Sequence, residues 1–373
     1  MRMSLLSFAF LLACNLQEAS TFRPLVVRSN LFRAPTVTSL GVSSPLATGE
    51  MKDEAEDSPS IPSSTSSTSS ALSTPTTTTP PPLPIALYSF TRPHTFIGTF
   101  LTIPSLFLTL APTLTFTNNY PLLAKALVPA LLSNAYITGL NQITDVKIDT
   151  INKSWLPIPS GEITLRTAKI FTCFTFVFST LASLTNKYLF ATVLSCNVIG
   201  TLYSLKPFRL KERSPWLALA CISLVRGAII NCGFSLAFAS MLGVGVGWKR
   251  VASISTYFTL FGAVISLMKD VPDTKGDDYR TFAKDDKLKA YGNARLLTLL
   301  NMGIPSALFF AIGLWTKDTF PGVRRFGVGV VGAAMTRWFF QKSENDTIEK
   351  VEDVYMDCWK LFYVSYLVLP WAW

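Results

Sequence analysis

The sequence predicts an all-α polytopic membrane protein, a bundle of about nine transmembrane helices. Three observations carry this. Hydrophobic residues make up 49% of the 373 and charged residues only 15%, with mean hydropathy +0.36, a balance unlike that of a soluble globule. Apolar runs long enough to cross a bilayer, allowing for tilt and ragged ends, recur from residue 96 to the end. These runs are too long for barrel strands, and a backbone in lipid must satisfy its own hydrogen bonds, which leaves helices.

Residues 1–57 read as a signal and transit presequence. Arg2 precedes an apolar stretch from Leu5 to Cys14, too short to span but suited to the core of a signal peptide. Ala19 and Ser20 offer a small-residue cleavage site. Phe22 follows, then Arg23, Arg28 and Arg33 among Ser and Thr, with no further acid before Glu50. The join of the two leader types is similar to the bipartite leader of algae with secondary plastids, so the expected location is a plastid (chloroplast) membrane; a plain secretory leader is the alternative. Residues 58–84 are almost wholly Ser, Thr and Pro. Such a stretch cannot bury enough apolar surface to fold and reads as a disordered linker. The folded domain is expected over 85–373, starting near Leu83.

Within that domain the apolar cores fall at 96–110, 122–140, 167–184, 188–205, 216–238, 251–268, 296–314, 326–340 and 359–373, the first, eighth and last being short. If the chain enters at Arg92, the loops after the second, fourth and sixth segments return to one side. Those loops hold Asp145 and Asp149, then Lys206, Arg209, Lys211 and Arg213, then Asp270 through Asp278. The excess of Lys and Arg on that side marks it as the face that is not translocated.

Composition also excludes. The single histidine, His94, argues against a His-based zinc or haem site. Six cysteines without a CxxC pair, all in or beside apolar segments, read as small packing residues. The net charge of +10 is accounted for by basic loops and a basic leader. No basic-aromatic motif of a nucleic-acid module is present.

The chemistry lies in two acidic stretches at the ends of apolar runs. In the first, Asn141, Asp145 and Asp149 are spaced four apart and would line one face of a continuing helix. In the second, Asp270, Asp273 and Asp277 straddle Pro272, which is expected to end or kink the preceding helix. Clustered carboxylates beside lipid repel one another and are costly to desolvate, so they call for cations. Mg2+ fits, because it binds through one or two carboxylates and completes its shell with water and substrate phosphates. Beside a bilayer the matching ligand is a lipid diphosphate. Lys206, Arg209 and Lys211 supply phosphate-binding cations, against the plainer reading of ordinary positive-inside residues. Arg226 stands inside an apolar stretch, where an arginine faces the bundle interior and a polar partner, either a ligand or a structural ion pair. His94 opens the first span as an interfacial anchor or a contact for an acidic aromatic substrate, and Thr95 is placed to cap that helix.

These residues resemble the UbiA superfamily of intramembrane aromatic prenyltransferases, over about Ser89 to the C-terminus. The marks are Arg92-Pro93-His94-Thr95, Gly139-Leu140-Asn141-Gln142 with Asp145 and Asp149, Asn152-Lys153, Leu156-Pro157, Ser160-Gly161-Glu162, Tyr203-Ser204, and Lys269-Asp270-Val271-Pro272-Asp273 with Gly276-Asp277. The nearest branch is the plastid homogentisate prenyltransferases, which share Gln142 where many relatives have Asp. The stretches 203–211 and 225–231 look nearer to solanesyl-transferring members, and Ser160-Gly161-Glu162 nearer to phytyl-transferring ones. The resemblance implies Mg2+ held by Asn141, Asp145, Asp149, Asp270, Asp273 and Asp277. It implies a polyprenyl diphosphate, solanesyl ahead of phytyl, joined to homogentisate with decarboxylation, as in plastoquinone or tocopherol biosynthesis. Tyr203, Lys206, Arg209, Lys211, Arg226 and His94 are the further substrate-binding candidates. The alternatives are a chlorophyll synthase or another transferase of the superfamily, and a membrane transporter or lipid-binding protein that would need no metal.

Overall fold

The computed structural model describes residues 81–110, 116–271, 279–344 and 351–372. All lie in one compact unit, Thr79–Trp373. The leader and nearly all of the linker fall outside the described residues, and so do Asp273 and Asp277.

The first helix, α1 (Leu83–Phe90), starts where the Pro-rich stretch ends, with proline in its first turn. The described residues form helices and no strands. The long ones are α2 (Pro93–Leu110), α3 (Phe116–Thr144), α5 (Leu165–Ser183), α6 (Lys187–Ser204), α8 (Pro215–Leu242), α9 (Trp248–Lys269), α11 (Lys287–Trp315), α12 (Phe320–Ser343) and α13 (Val351–Val368). Short helices α4 (Val146–Asn152), α7 (Leu210–Arg213) and α10 (Phe282–Asp285) lie in the three polar loops. Each predicted apolar core thus meets a long helix. Six of them, α2, α3, α5, α8, α9 and α11, are apolar enough as well as long enough to cross a bilayer. The expected count of nine crossings therefore stands at six by length and composition.

Helices α11 and α13 begin ahead of their predicted apolar cores, α11 at Lys287 against residue 296. Helix α13 begins at Val351, ahead of its apolar core at 359, and contains Asp357. That carboxylate is buried and paired with Lys360 at 2.7 Å, with Lys342 of α12 at 3.8 Å. Thr95 does not cap α2. Its hydroxyl donates to the carbonyls of Thr91 and Arg92, inside a helix that already begins at Pro93.

Helix α3 is central, packing on α2, α5 and α6, while α9 packs along α8 and α13 closes against α2 and α9. Polar side chains tie the helices inside lipid. The Ser133 hydroxyl of α3 donates to Asn197 Oδ1 of α6 at 2.7 Å, and Asn197 Nδ2 donates to Ser179 of α5 at 3.1 Å. Such buried amides and hydroxyls must find partners where no water is available, and they link helices that share no hydrophobic drive to associate. At two places α8 approaches α9 so closely that only glycine fits. A Cβ on Gly227 would collide with the Thr259 backbone, and one on Gly262 would meet Ser223 Cα at 2.8 Å.

Candidate active site

The first acidic motif sits at the end of α3. The helix is interrupted at Asp145, whose φ and ψ of −105° and 12° leave helical values before α4 resumes. The pitch is nonetheless carried through, since the amide of Asp145 donates to Asn141, Asp149 to Asp145 and Lys153 to Asp149. The predicted shared face is preserved across a break.

The basic loop after α6 folds onto this face. Asp145 accepts from Asn141 Nδ2 at 2.9 Å, from Arg209 Nη2 at 3.0 Å and from Lys211 Nζ. Arg209 also pairs with Glu212 at 2.7 Å. Asp149, one turn on, faces Arg92 at 3.8 Å. Asp145 and Asp149 are 7% and 4% exposed and Lys211 is 2% exposed. Burial pushes the Lys211 ammonium below the usual lysine range, with Asp145 pulling it back. Arg92 and Arg209 are the non-glycine residues with left-handed backbone, at φ 54° and 34°, among the described residues. That conformation is unfavourable for arginine, and strain of this kind collects at functional sites. Both strained residues are cations that reach a carboxylate of the first motif.

The second motif meets the same end of the bundle. Helix α9 stops at Lys269, as Pro272 foretold, with Asp270 buried at its C-cap. Lys269 Nζ pairs with Asp270 at 3.1 Å and donates to the Tyr203 hydroxyl of α6 at 2.8 Å. Tyr203 lies within electrostatic reach of both Asp270 and Asp145. The loops after α3, α6 and α9 therefore share one face.

Beneath this polar mouth lies a cavity of about 200 Å3. Arg92, Asn141, Tyr203 and Lys269 line its polar end; Val193, Ile199, Ile222, Phe234 and Ile265 line its apolar depth. His94 and Arg226 also line it. His94 turns its ring edge-on to Trp359 and Tyr355, at 5.1 and 6.2 Å. Asp145, Asp149, Asp270, Lys206, Arg209 and Lys211 do not line the cavity, and of these Lys206 is exposed. Gln142 turns away from the mouth, its Nε2 donating to the Phe90 carbonyl at 2.5 Å. Among the described residues the cysteines are free thiols, with Cys196 and Cys358 buried and Cys173 exposed.

One wall escaped sequence reading. Tyr355, Trp359, Phe362 and Tyr366 of α13 all line the cavity. Their spacing of four, three and four residues is a single helical stripe. That stripe was a readable signal, but aromatic residues at helical spacing look the same when they face lipid or core.

The donor set at the mouth suits a hard divalent cation, being entirely oxygen. Among the described residues, no three His, Cys, Asp or Glu side chains converge as a ready metal cluster. In this state the oxygens of Asp145 are engaged by the protein's own cations.

An all-helical membrane bundle with a charged mouth over an apolar chamber suits the class of proteins that handle a lipid with an ionic head. The profile of the UbiA prenyltransferase family matches residues 86–362, and the chain belongs to that family. It is a prenyltransferase. The chain is 34% identical over 303 residues to homogentisate phytyltransferase 1, chloroplastic, of Arabidopsis thaliana, covering 76% of this chain and 74% of that one. It is 32% identical over 297 residues to homogentisate solanesyltransferase, chloroplastic, of the same plant, covering 76% of each. Among solved structures, a UbiA homolog from Archaeoglobus fulgidus bound to GPP and Mg2+ matches with TM-score 0.55 at 16% identity, over 77% of this chain and 98% of that one. At that identity the likeness shows the fold.

Proposed function

We propose that the protein is a homogentisate prenyltransferase of a plastid membrane. The carrying observation is the mouth itself: Asp145, held by Asn141, Arg209 and Lys211, over an apolar cavity. The relatives named for homogentisate prenylation supply the acceptor, and those named chloroplastic supply the location. Both solanesyl- and phytyl-transferring relatives align at nearly equal identity, so donor length is proposed from the motifs, solanesyl ahead of phytyl.

A bound Mg2+ would be held by Asn141, Asp145, Asp149 and Asp270, with Asp273 and Asp277, and would neutralise diphosphate oxygens. Arg209 and Lys211 are placed to leave Asp145 for the incoming diphosphate and to stabilise it as it departs. The bond between the prenyl C1 and the diphosphate oxygen breaks, and its electron pair leaves with diphosphate. The apolar walls exclude water from the allylic cation, and ring faces tolerate its charge. An electron-rich carbon of the homogentisate ring bonds to C1 and loses its proton. The acetate carboxylate then leaves as CO2, and the remaining carbon takes up a proton to become the ring methyl.

The test uses isolated membranes with labelled prenyl diphosphate and homogentisate. Product that depends on Mg2+ and disappears in Asp145→Ala or Asp273→Ala is expected. Undiminished, Mg2+-independent product from those variants would sink the proposal. Competing solanesyl, phytyl and geranylgeranyl diphosphates, read by product mass, assign the donor.

A further inference from the structure

The cavity holds a cation that diphosphate binding leaves unused. Arg226 lies inside α8, in a π-helical turn over Leu224–Ile229, and lines the cavity. Its guanidinium sits 4.5 Å from the ring centroid of Trp359 and 5.9 Å from that of Phe362. Among the described residues no carboxylate pairs with it. A guanidinium does not shed its charge. Ring faces recover only part of what desolvation costs it, so it calls for an anion.

The backbone is arranged to present it. Asn231, fully buried, donates from Nδ2 to the carbonyls of Arg226 and Gly227 at 3.0 and 2.6 Å. The Gly227 carbonyl also accepts from the amide of Ile230. Tyr366 of α13 donates its hydroxyl to Asn231 Oδ1 at 3.0 Å, and its ring stacks on Phe258 at 3.7 Å. A chain of contacts from α9 through Tyr366 and Asn231 therefore fixes the turn that carries Arg226.

We propose that Arg226 anchors the carboxylate of a small aromatic acid, the acceptor, with Asn231 and Tyr366 as positioning residues. The identity of that acid as homogentisate rests on the function proposed above; the need of the guanidinium for an anion does not. A carboxylate is favoured over diphosphate by place and surroundings. Diphosphate-binding cations and carboxylates stand in the loops, whereas Arg226 stands within a helix beside flat ring faces that suit an aromatic ligand. Trp359 touches both Arg226 and His94, so an acid held there keeps its ring beside the mouth.

The experiment uses the full chain in lipid nanodiscs. Calorimetry measures binding of homogentisate, of its neutral amide and of Mg2+ with prenyl diphosphate, and kinetics are read alongside. In Arg226→Gln, affinity for homogentisate falls and its KM rises at least about tenfold, while KM for the diphosphate stays within about twofold. Arg226→Lys is intermediate, and the amide binds weakly to every form. Asn231→Leu and Tyr366→Phe raise KM for homogentisate a few-fold and leave diphosphate binding intact, a split that general loosening of the fold would not produce. Retained Mg2+–diphosphate binding certifies folding; if the Gln variant lacks it, the Lys variant and the acid-amide contrast in the parent decide. The proposal is overturned if acid and amide bind the parent alike, if Arg226→Lys and Arg226→Gln bind the acid as the parent does, or if the diphosphate KM is the one that rises. A parent that binds the acid through Arg226 yet forms no product would topple the transferase reading alone. Equal product formation and KM in parent and Arg226→Gln would topple the anchor alone.

Discussion

Asp145 and Arg226 are charges of opposite sign in the same apolar bundle, and the fold treats them differently. Asp145 is surrounded: an amide and two cations from another loop meet its carboxylate. Arg226 is given ring faces and a braced backbone but, among the described residues, no counter-charge. A buried ion whose partners are all internal is complete, and a ligand must displace something to reach it. An ion that lines a cavity with aromatic neighbours is open to a ligand at once. The two sites thus differ in what binding has to undo.

Five substitutions break or sharpen this contrast. Asp145→Ala removes the carboxylate at the mouth and should lower kcat/KM by about a thousandfold or more, read with labelled donor. A loss smaller than about tenfold would place the chemistry elsewhere. Gly227→Ala drives a Cβ into the Thr259 backbone and disturbs the turn beneath Arg226. It should cost about 3 kcal/mol of stability, seen as a lower Tm in detergent, and raise KM for the acceptor. Lys211→Met removes one of the two cations from Asp145 and should cost about 2 to 3 kcal/mol, less than full loss of a buried pair because Arg209 remains. Gln142→Leu gives up the bond to the Phe90 carbonyl, for about 1 kcal/mol, with kcat little changed. Lys206→Ala, at an exposed site, should alter kcat/KM by less than about twofold. A large effect there would mean that the loop closes over the mouth during turnover.

Much of this arrangement was written in the sequence because lipid forces a plain code. Apolar length announces a helix, and parity around Arg92 placed three polar loops on one face, where Asp145, Arg209, Tyr203 and Lys269 indeed meet. The four-residue spacing of Asn141, Asp145 and Asp149 gave their common side. What was not legible depends on partners distant in the chain. The start of α13 at Val351 lies outside its apolar core because nothing local reveals that Lys342 will arrive to pair with Asp357. Arg209 and Lys211 reach Asp145 while Lys206 is exposed, since composition does not say which way a loop residue turns. The wall formed by Tyr355, Trp359, Phe362 and Tyr366 was hidden for a related reason: in a membrane protein an aromatic stripe faces lipid or protein with equal ease.

Helix α13 supplies that wall, and it comes late in the polypeptide. Every acidic side chain of both motifs emerges from the ribosome well before Val351 does. A nascent chain halted in between would already carry both acidic motifs but lack the aromatic side of the chamber. The cavity therefore takes its full lining only once α13 has been made and has docked.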